Sequence, residues 1–394
     1  STPNGTNPAP FTVFAPTNDA FGSILELLGA ESLADVDGPT LTAILNNHVI
    51  PSANVRAADL TDGDVSTLED DITIDAGNAT ITDQEGREID IVVTDVQTAN
   101  GVIHAVDQVI LPDLTSTFDV IANSEDHTVL EQALIDTGLN EVLNSANFTV
   151  FAPTDDAFSN IDVSGLSEAE LTNVLLNHVL TGTTLSTDLS NTYVKTNATE
   201  MITGDANPLD LYINVDSGVT LNGAATVSAA DLEAYNGVVH VTDAVIPMPD
   251  ITTFAVADPT FNSLQAALTR GDQPDFVGTL STPNGTDPAP FTVFAPTNDA
   301  FTALLSELNL NDLSEVPQEI LTGTLNSHVV AGANVRAADL TDGTVGTLGA
   351  DLTVDAGNAT LTDPNGRVSN IIVTDVQTTN GVIHAIDTVV LPQQ

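Results

Sequence analysis

Phe11–Phe21 reads FTVFAPTNDAF, and the phrase returns as FTVFAPTDDAF at Phe148–Phe158 and as FTVFAPTNDAF at Phe291–Phe301. A second phrase closes each copy: NGVIHAVDQVILP (Asn100–Pro112), NGVVHVTDAVIP (Asn236–Pro247) and NGVIHAIDTVVLP (Asn380–Pro392). A period of ~140 residues is that of a whole domain, not of a solenoid unit. The chain of 394 residues suits two to four domains by size. The expected domains are 1–112, 113–247 and 248–394.

Residues 1–112 align with 281–392 without a gap. Copy three is preceded by Thr252–Leu280 and copy two by the counterpart Ser116–Asn144, whereas copy one has none, since Ser1 matches Ser281. The expectation is a first domain without its N-terminal helices. Either the chain is a fragment of a longer protein, or copy one folds incomplete.

Within copy one, Phe11–Phe14 is a β-branched and aromatic run and reads as a buried strand. Thr17 suits a helix N-cap, with Asp19 in the first turn. Ala20, Phe21, Ile24, Leu25 and Leu28 share one helical face, and Gly29 ends it. A second helix is expected over Pro39–Asn47, with Leu41, Ile44, Leu45 and His48 at helical spacing. Its counterpart in copy two opens on a capping box, Ser167 with Glu170. Short strands follow at Ser66–Leu68, Ile72–Asp75 and Ala79–Thr82. Longer ones at Ile91–Gln97 and Gly101–Leu111 are joined by a hairpin with Asn-Gly as its signal. Helices first and strands after give an α+β fold with a largely antiparallel sheet. The linkers Pro112–Thr117 and Pro247–Thr253 are short, so successive domains are expected to be articulated but close.

Fifty-five acidic residues face six basic ones, a net charge of −49, and Lys195 is the sole lysine. That balance excludes nucleic acid as an electrostatic partner and direct attraction to anionic lipid. Self-repulsion calls for screening by salt or divalent cations, so the surface reads as salt-adapted. No apolar run reaches the ~18–20 residues of a membrane span. There is no cysteine, so disulfides are excluded. Six N-x-S/T sequons occur, at Asn4, Asn78, Asn147, Asn197, Asn284 and Asn358.

Catalytic spacings are absent: no G-x-S-x-G, no H-E-x-x-H, no phosphate-cradling glycine loop and no cysteine nucleophile. Two histidines recur per copy. His48, His178 and His328 end the second helix on its apolar face, where the choice lies between a packing or capping role and contact with a ligand or partner. His104, His240 and His384 lie on the closing strand and read as bonded across the sheet. The turn ADLTDGD clusters Asp59, Asp62 and Asp64, while copy three keeps Asp339 and Asp342 but has Thr344. Carboxylates in a tight loop suit calcium, which makes these three the candidate metal ligands; solvated turn carboxylates are the alternative. No other cofactor is indicated.

The two bracketing phrases, TVFAPTNDAF and NGVIHAVDQVILP, resemble the paired motifs of the fasciclin (FAS1) domain, three times over and across nearly the whole chain. The resemblance implies tandem seven-stranded β-wedges or sandwiches with helices along one edge. It matches the family's N-terminal helices to Thr117–Asn144 and Phe254–Leu280. It also implies extracellular or cell-surface placement and a role in adhesion or matrix assembly. The family often carries a Tyr-His pair, linked to integrin binding in animal members. Here Asn47, Asn177 or Ser327 takes the tyrosine position, which argues against an integrin-type contact there. The scarcity of lysine looks like a marine or salt-adapted microbial protein.

The leading expectation is a non-enzymatic adhesion protein that binds matrix, polysaccharide or neighbouring cells through its repeats. One alternative is a structural subunit of a fibre or array, copies of the chain joining head to tail through the incomplete first domain. The other is a carrier of an apolar ligand such as a carotenoid or lipid. All three tyrosines, Tyr193, Tyr212 and Tyr235, fall in copy two, which has diverged from copies one and three.

Overall fold

The strand expected at the opening phrase forms as Phe11–Pro16, and the closing strand Gly101–Val106 lies parallel beside it, with Phe11 opposite Gly101 and Pro16 opposite Val106. The computed structural model describes residues 9–27, 30, 32–161, 165–204 and 206–393. Leu28, Gly29 and the sequon at Asn4 lie outside them. The remaining pairings of the first sheet are antiparallel. Its seven strands run in the order Val49–Ile50, Phe11–Pro16, Gly101–Val106, Glu88–Thr98, Thr80–Thr82, Asp71–Asp75, Gly63–Ser66. Two further sheets of seven strands repeat this order in copies two and three, so the chain is α+β with three wedges.

Thr17 Oγ1 accepts the Ala20 N–H at 3.3 Å and opens helix Asn18–Leu27. Asp37 caps helix Gly38–Asn46, with Pro39 inside its start, where a missing N–H costs nothing. In copy two the capping box of Ser167 and Glu170 is in place on helix Glu168–Leu176. The segments matched to the family's N-terminal helices are helical. They hold Thr117–Ala122, Thr128–Asp136 and Leu139–Leu143 before copy two, and Ile251–Ala257, Asn262–Leu268 and Phe276–Leu280 before copy three.

The chain divides into two compact units. One is built on the first repeat. Its wedge encloses Phe14, Ile50, Ile72, Ile74, Ile81, Ile89, Val106 and Ile110, and Ala20, Ile24, Ile44, Val109 and Leu111 pack together in a second cluster. Each buried aliphatic chain contributes roughly 1.5–3 kcal/mol. The other unit holds most of copy two and all of copy three. Its largest cluster joins Ile251, Phe254, Phe261, Leu264 and Leu280 of the helical segment to Phe291, Val293 and Ile383 of the third sheet.

Four features depart from the expected strands, the first being that the strand expected at Ser66–Leu68 forms at Gly63–Ser66. The closing strand stops at Val106, short of Leu111, and the donors near the expected end turn to side chains: the Ile110 N–H goes to His48 Nε2 and the Leu111 N–H to Asp83 Oδ2. The hairpin loop is Ala99–Asn100, since Thr98 already pairs with Gly101. Gly101 serves close approach, because a Cβ there would lie 2.0 Å from the Phe11 carbonyl oxygen; Gly237 and Gly381 face the same obstacle at 1.9 and 2.2 Å. Finally, strand Glu88–Thr98 is irregular. Its register slips between Ile91 and Val96 and Asp95 takes a left-handed φ of 63°, which a period of two cannot register.

Candidate functional site

The first set of histidines is built into the interior. His48, His178 and His328 are 3%, 2% and 2% exposed. The Ile110 N–H donates to His48 Nε2 (2.9 Å), which leaves Nδ1 as the protonated nitrogen, donating to the Ile44 carbonyl at 2.6 Å. His178 joins Val174 O (2.8 Å) to Ile246 N (2.8 Å), and His328 joins Thr324 O (2.7 Å) to Val390 N (3.2 Å). Each ring ties the end of a helix to the segment after the closing strand. Burial drives all three down to about 4, so the rings are neutral at pH 7. An outside ligand could reach these nitrogens only by breaking two internal hydrogen bonds.

The second set uses the opposite tautomer. His104 Nδ1 accepts the Asp95 N–H (3.4 Å), so Nε2–H donates to the Val55 carbonyl at 2.9 Å. His240 and His384 repeat this with Asp231 and Thr184, and with Asp375 and Val335. Asp95, Asp231 and Asp375 all have left-handed φ. Their carboxylates cap the N–H groups of Ala57, Ser186 and Ala337. Each bulge, histidine and neighbouring loop is thus one hydrogen-bonded unit. The repeated aspartate after Val-Thr in copies one and three was its only sequence signal.

The candidate calcium ligands do not converge. Asp59 ends a short 3₁₀ turn, Asp62 Oδ1 accepts the Ala76 N–H at 2.8 Å, and Asp64 Oδ1 accepts the Thr73 hydroxyl at 2.6 Å. Asp342 in copy three bonds the Ala356 N–H as Asp62 bonds Ala76. Among the described residues no three of His, Cys, Asp or Glu are grouped to hold a metal ion.

An open groove of about 710 Å³ lies between the second and third repeats, lined among others by Tyr193, Lys195, Asp210, Tyr212, Asp258 and Arg336. Sequence reasoning missed it, although the tyrosines and the lone lysine of copy two pointed there. Lys195 Nζ lies 2.5 Å from Asp210 Oδ2 and donates to the Asp375 carbonyl at 2.9 Å. Asp210 Oδ2 also accepts the Gln377 N–H at 2.6 Å. Burial raises the Asp210 carboxyl in spite of the lysine. The Tyr193 hydroxyl donates to Asp258 at 2.8 Å, and its ring stacks obliquely on Tyr212, with centroids 4.9 Å apart. Burial and the Asp258 charge push the Tyr193 hydroxyl well above its usual range and Tyr212 up to about 12. Arg336, on the third repeat, lies 3.8 Å from Asp375, and its Nη1 is buried without a hydrogen-bond partner. Two of the six cationic side chains thus meet in one groove. The arrangement clasps two repeats together, with Asp210, Tyr212 and Asp258 buried beneath a half-exposed Lys195.

A cavity under the helical segment of copy three, lined by Phe261, Leu264, Leu268, Val293 and Ile383, measures about 30 Å³. That is room for about one water molecule, and far too little for a carotenoid or a lipid tail.

A fasciclin-domain family model matches residues 3–112, 125–249 and 259–392. The chain is 29% identical to the pig transforming growth factor-beta-induced protein ig-h3, over 97% of this chain and 53% of that protein. It is 25% identical to human periostin, over 97% of this chain and 43% of periostin. It therefore spans about half the length of these curated relatives. Against the cell surface glycolipoprotein MPB83 of Mycobacterium bovis it is 35% identical, over 36% of this chain and 60% of that one. A solved FAS1 domain pair from the insect cell adhesion molecule fasciclin I aligns at 19% identity and a TM-score of 0.43, over 66% of this chain and 95% of that one. With the family model matched three times along nearly its whole length, the chain belongs to the fasciclin-domain family.

Proposed function

We propose that the chain is a non-enzymatic adhesion protein of the cell surface or extracellular space, binding matrix, polysaccharide or neighbouring cells through its repeated domains. The observation that carries this reading is one fasciclin domain repeated three times, with its paired histidines spent on internal bonds and with 55 acidic residues against six basic ones in the chain. Weak contacts made by each repeat add through effective concentration. Divalent cations bridge such an acidic exterior to other acidic polymers. Beads coated with the full chain should cluster, or be retained on a polysaccharide surface, when calcium is supplied, and disperse in chelator. Clustering indifferent to chelator and ionic strength would remove the cation-bridged form, and beads that never cluster or adhere would remove the reading itself.

A further inference from the structure

Three of the five arginines are tied to their neighbours by hydrogen bonds. Arg87 donates to Asp83 and the Val109 carbonyl, Arg270 to Asp272 and the carbonyls of Leu313 and Val316, and Arg367 to Glu307. Arg336 is different. Its side chain is only 22% exposed and its Nη1 is buried with no hydrogen-bond partner. Its Nη2 stands 3.8 Å from Asp375 Oδ2, beyond hydrogen-bond length. A guanidinium carries a fork of N–H donors, and leaving them unmet away from water is costly. Arg336 borders the groove of about 710 Å³ between the second and third repeats, so a molecule seated there meets the guanidinium.

The rest of the lining offers both kinds of hydrogen-bonding group. Lys195 gives one N–H to Asp210 and one to the Asp375 carbonyl, and an ammonium has a third to give. Thr192, Asp216 and Thr374 also line the groove, and all three are exposed.

Charge then selects among ligand classes. Lys195 and Arg336 share the lining with Asp210, Asp216, Asp258 and Asp375, so the groove carries no net positive charge, and the whole chain stands at −49. A polyanion is repelled on approach and gains little on arrival. A metal ion finds no grouped ligands among the described residues. A sugar hydroxyl, in contrast, accepts from a cation and donates to a neighbouring carboxylate at the same time.

We infer that this groove binds a short stretch of a neutral polysaccharide, with Arg336 and Lys195 as its hydrogen-bond donors, a reading that rests on the adhesive role proposed above. It needs no calcium.

The test labels lysine and arginine side chains of the intact chain for NMR, where a single lysine and five arginines give well-separated signals. Maltohexaose, cellohexaose, laminarihexaose and mannohexaose are titrated in the presence of chelator, with an alginate hexamer and a gelatin hydrolysate as comparisons. At least one neutral oligomer should move the Lys195 and Arg336 signals together. Arg336→Ala should weaken that binding about tenfold or more. Thr374→Trp should do the same by blocking the groove from an exposed position, which leaves the fold intact. The inference is overturned if no neutral oligomer moves the two signals, or if the shifts survive Thr374→Trp. It is equally overturned if alginate or gelatin moves them as strongly, because the occupant is then a polyanion or a peptide. Beads that still cluster in calcium in any of these cases keep the adhesive role while the groove loses its ligand.

Discussion

The Asp210 carboxylate, 2.5 Å from the Lys195 ammonium, also holds the backbone N–H of Gln377 at 2.6 Å, 167 residues further along. One buried oxygen therefore joins the only lysine of the chain to the start of a hairpin in the next repeat. Asp210→Ala leaves that N–H unsatisfied and should cost about 2–4 kcal/mol. Lys195 is half exposed, so Lys195→Met should cost less at low pH. It leaves a buried carboxylate whose pKa is already raised. A raised carboxyl favours folding below its unfolded value and loses that contribution as pH climbs through the folded value. Lys195→Met should therefore lose more stability at pH 8 than at pH 5, measured by urea unfolding. An equal loss at both values would contradict the burial of Asp210.

His48, His178 and His328, held down at about 4, should stay neutral through the range where a free imidazole near 6.5 becomes charged. Their contribution is complete above the unfolded value and drains as pH falls from about 6.5 to about 4. Each ring is worth at most roughly 3 kcal/mol across that window. Nitrogen-15 NMR should show protons on Nδ1 of these three and on Nε2 of His104, His240 and His384. Titration of His48, His178 or His328 near 6.5 in the folded state would contradict their burial.

Gly381→Ala drives a methyl to 2.2 Å from the Phe291 carbonyl oxygen. Backbone on both sides of the parallel pair must part, at a cost of about 3 kcal/mol or more. Gly22→Ala is the matched control, since nothing lies within 4 Å of a Cβ there and the position is helical. It should raise stability by about 1 kcal/mol. Thermal unfolding of the two variants should move in opposite directions.

At the bulge, Asp375→Asn keeps a left-handed φ and an oxygen for the Ala337 N–H. Asp375→Val keeps neither and should cost about 2–3 kcal/mol. Equal stabilities in calorimetry would mean that the bulge relaxes freely.

With a net charge of −49, raising sodium chloride from 0.1 to 1 M shortens the screening length from about 10 to about 3 Å. The melting temperature should rise over that interval by several degrees, about 1–2 kcal/mol of relieved repulsion. A flat or falling profile would remove the salt-adapted reading of the surface.

Much of the fold was legible in the repeated phrases. Thr17, Ser167 and Glu170 announce their caps, and the apolar run from Phe291 pairs with the run after Gly381 as two strands buried on both faces. What stayed hidden has physical reasons. The strand expected to reach Leu111 ends early, and His48 and Asp83, distant in sequence, capture the N–H groups near its expected end. Asp95 adds a residue to a ladder, and alternation alone does not count residues across a sheet. The groove depends on Lys195 meeting Asp375 across 180 residues, which no local pattern encodes. Its only trace was the crowding of Tyr193, Tyr212 and Lys195 into the one divergent repeat.

The parallel pairing of first and last strands, Phe291 beside Gly381 through Pro296 beside Ile386, bears on how a repeat carries mechanical load. A pull applied at the two ends of the domain draws these neighbours in opposite directions along their own axes. All of their rungs are then strained together in shear, and none can be peeled away one at a time.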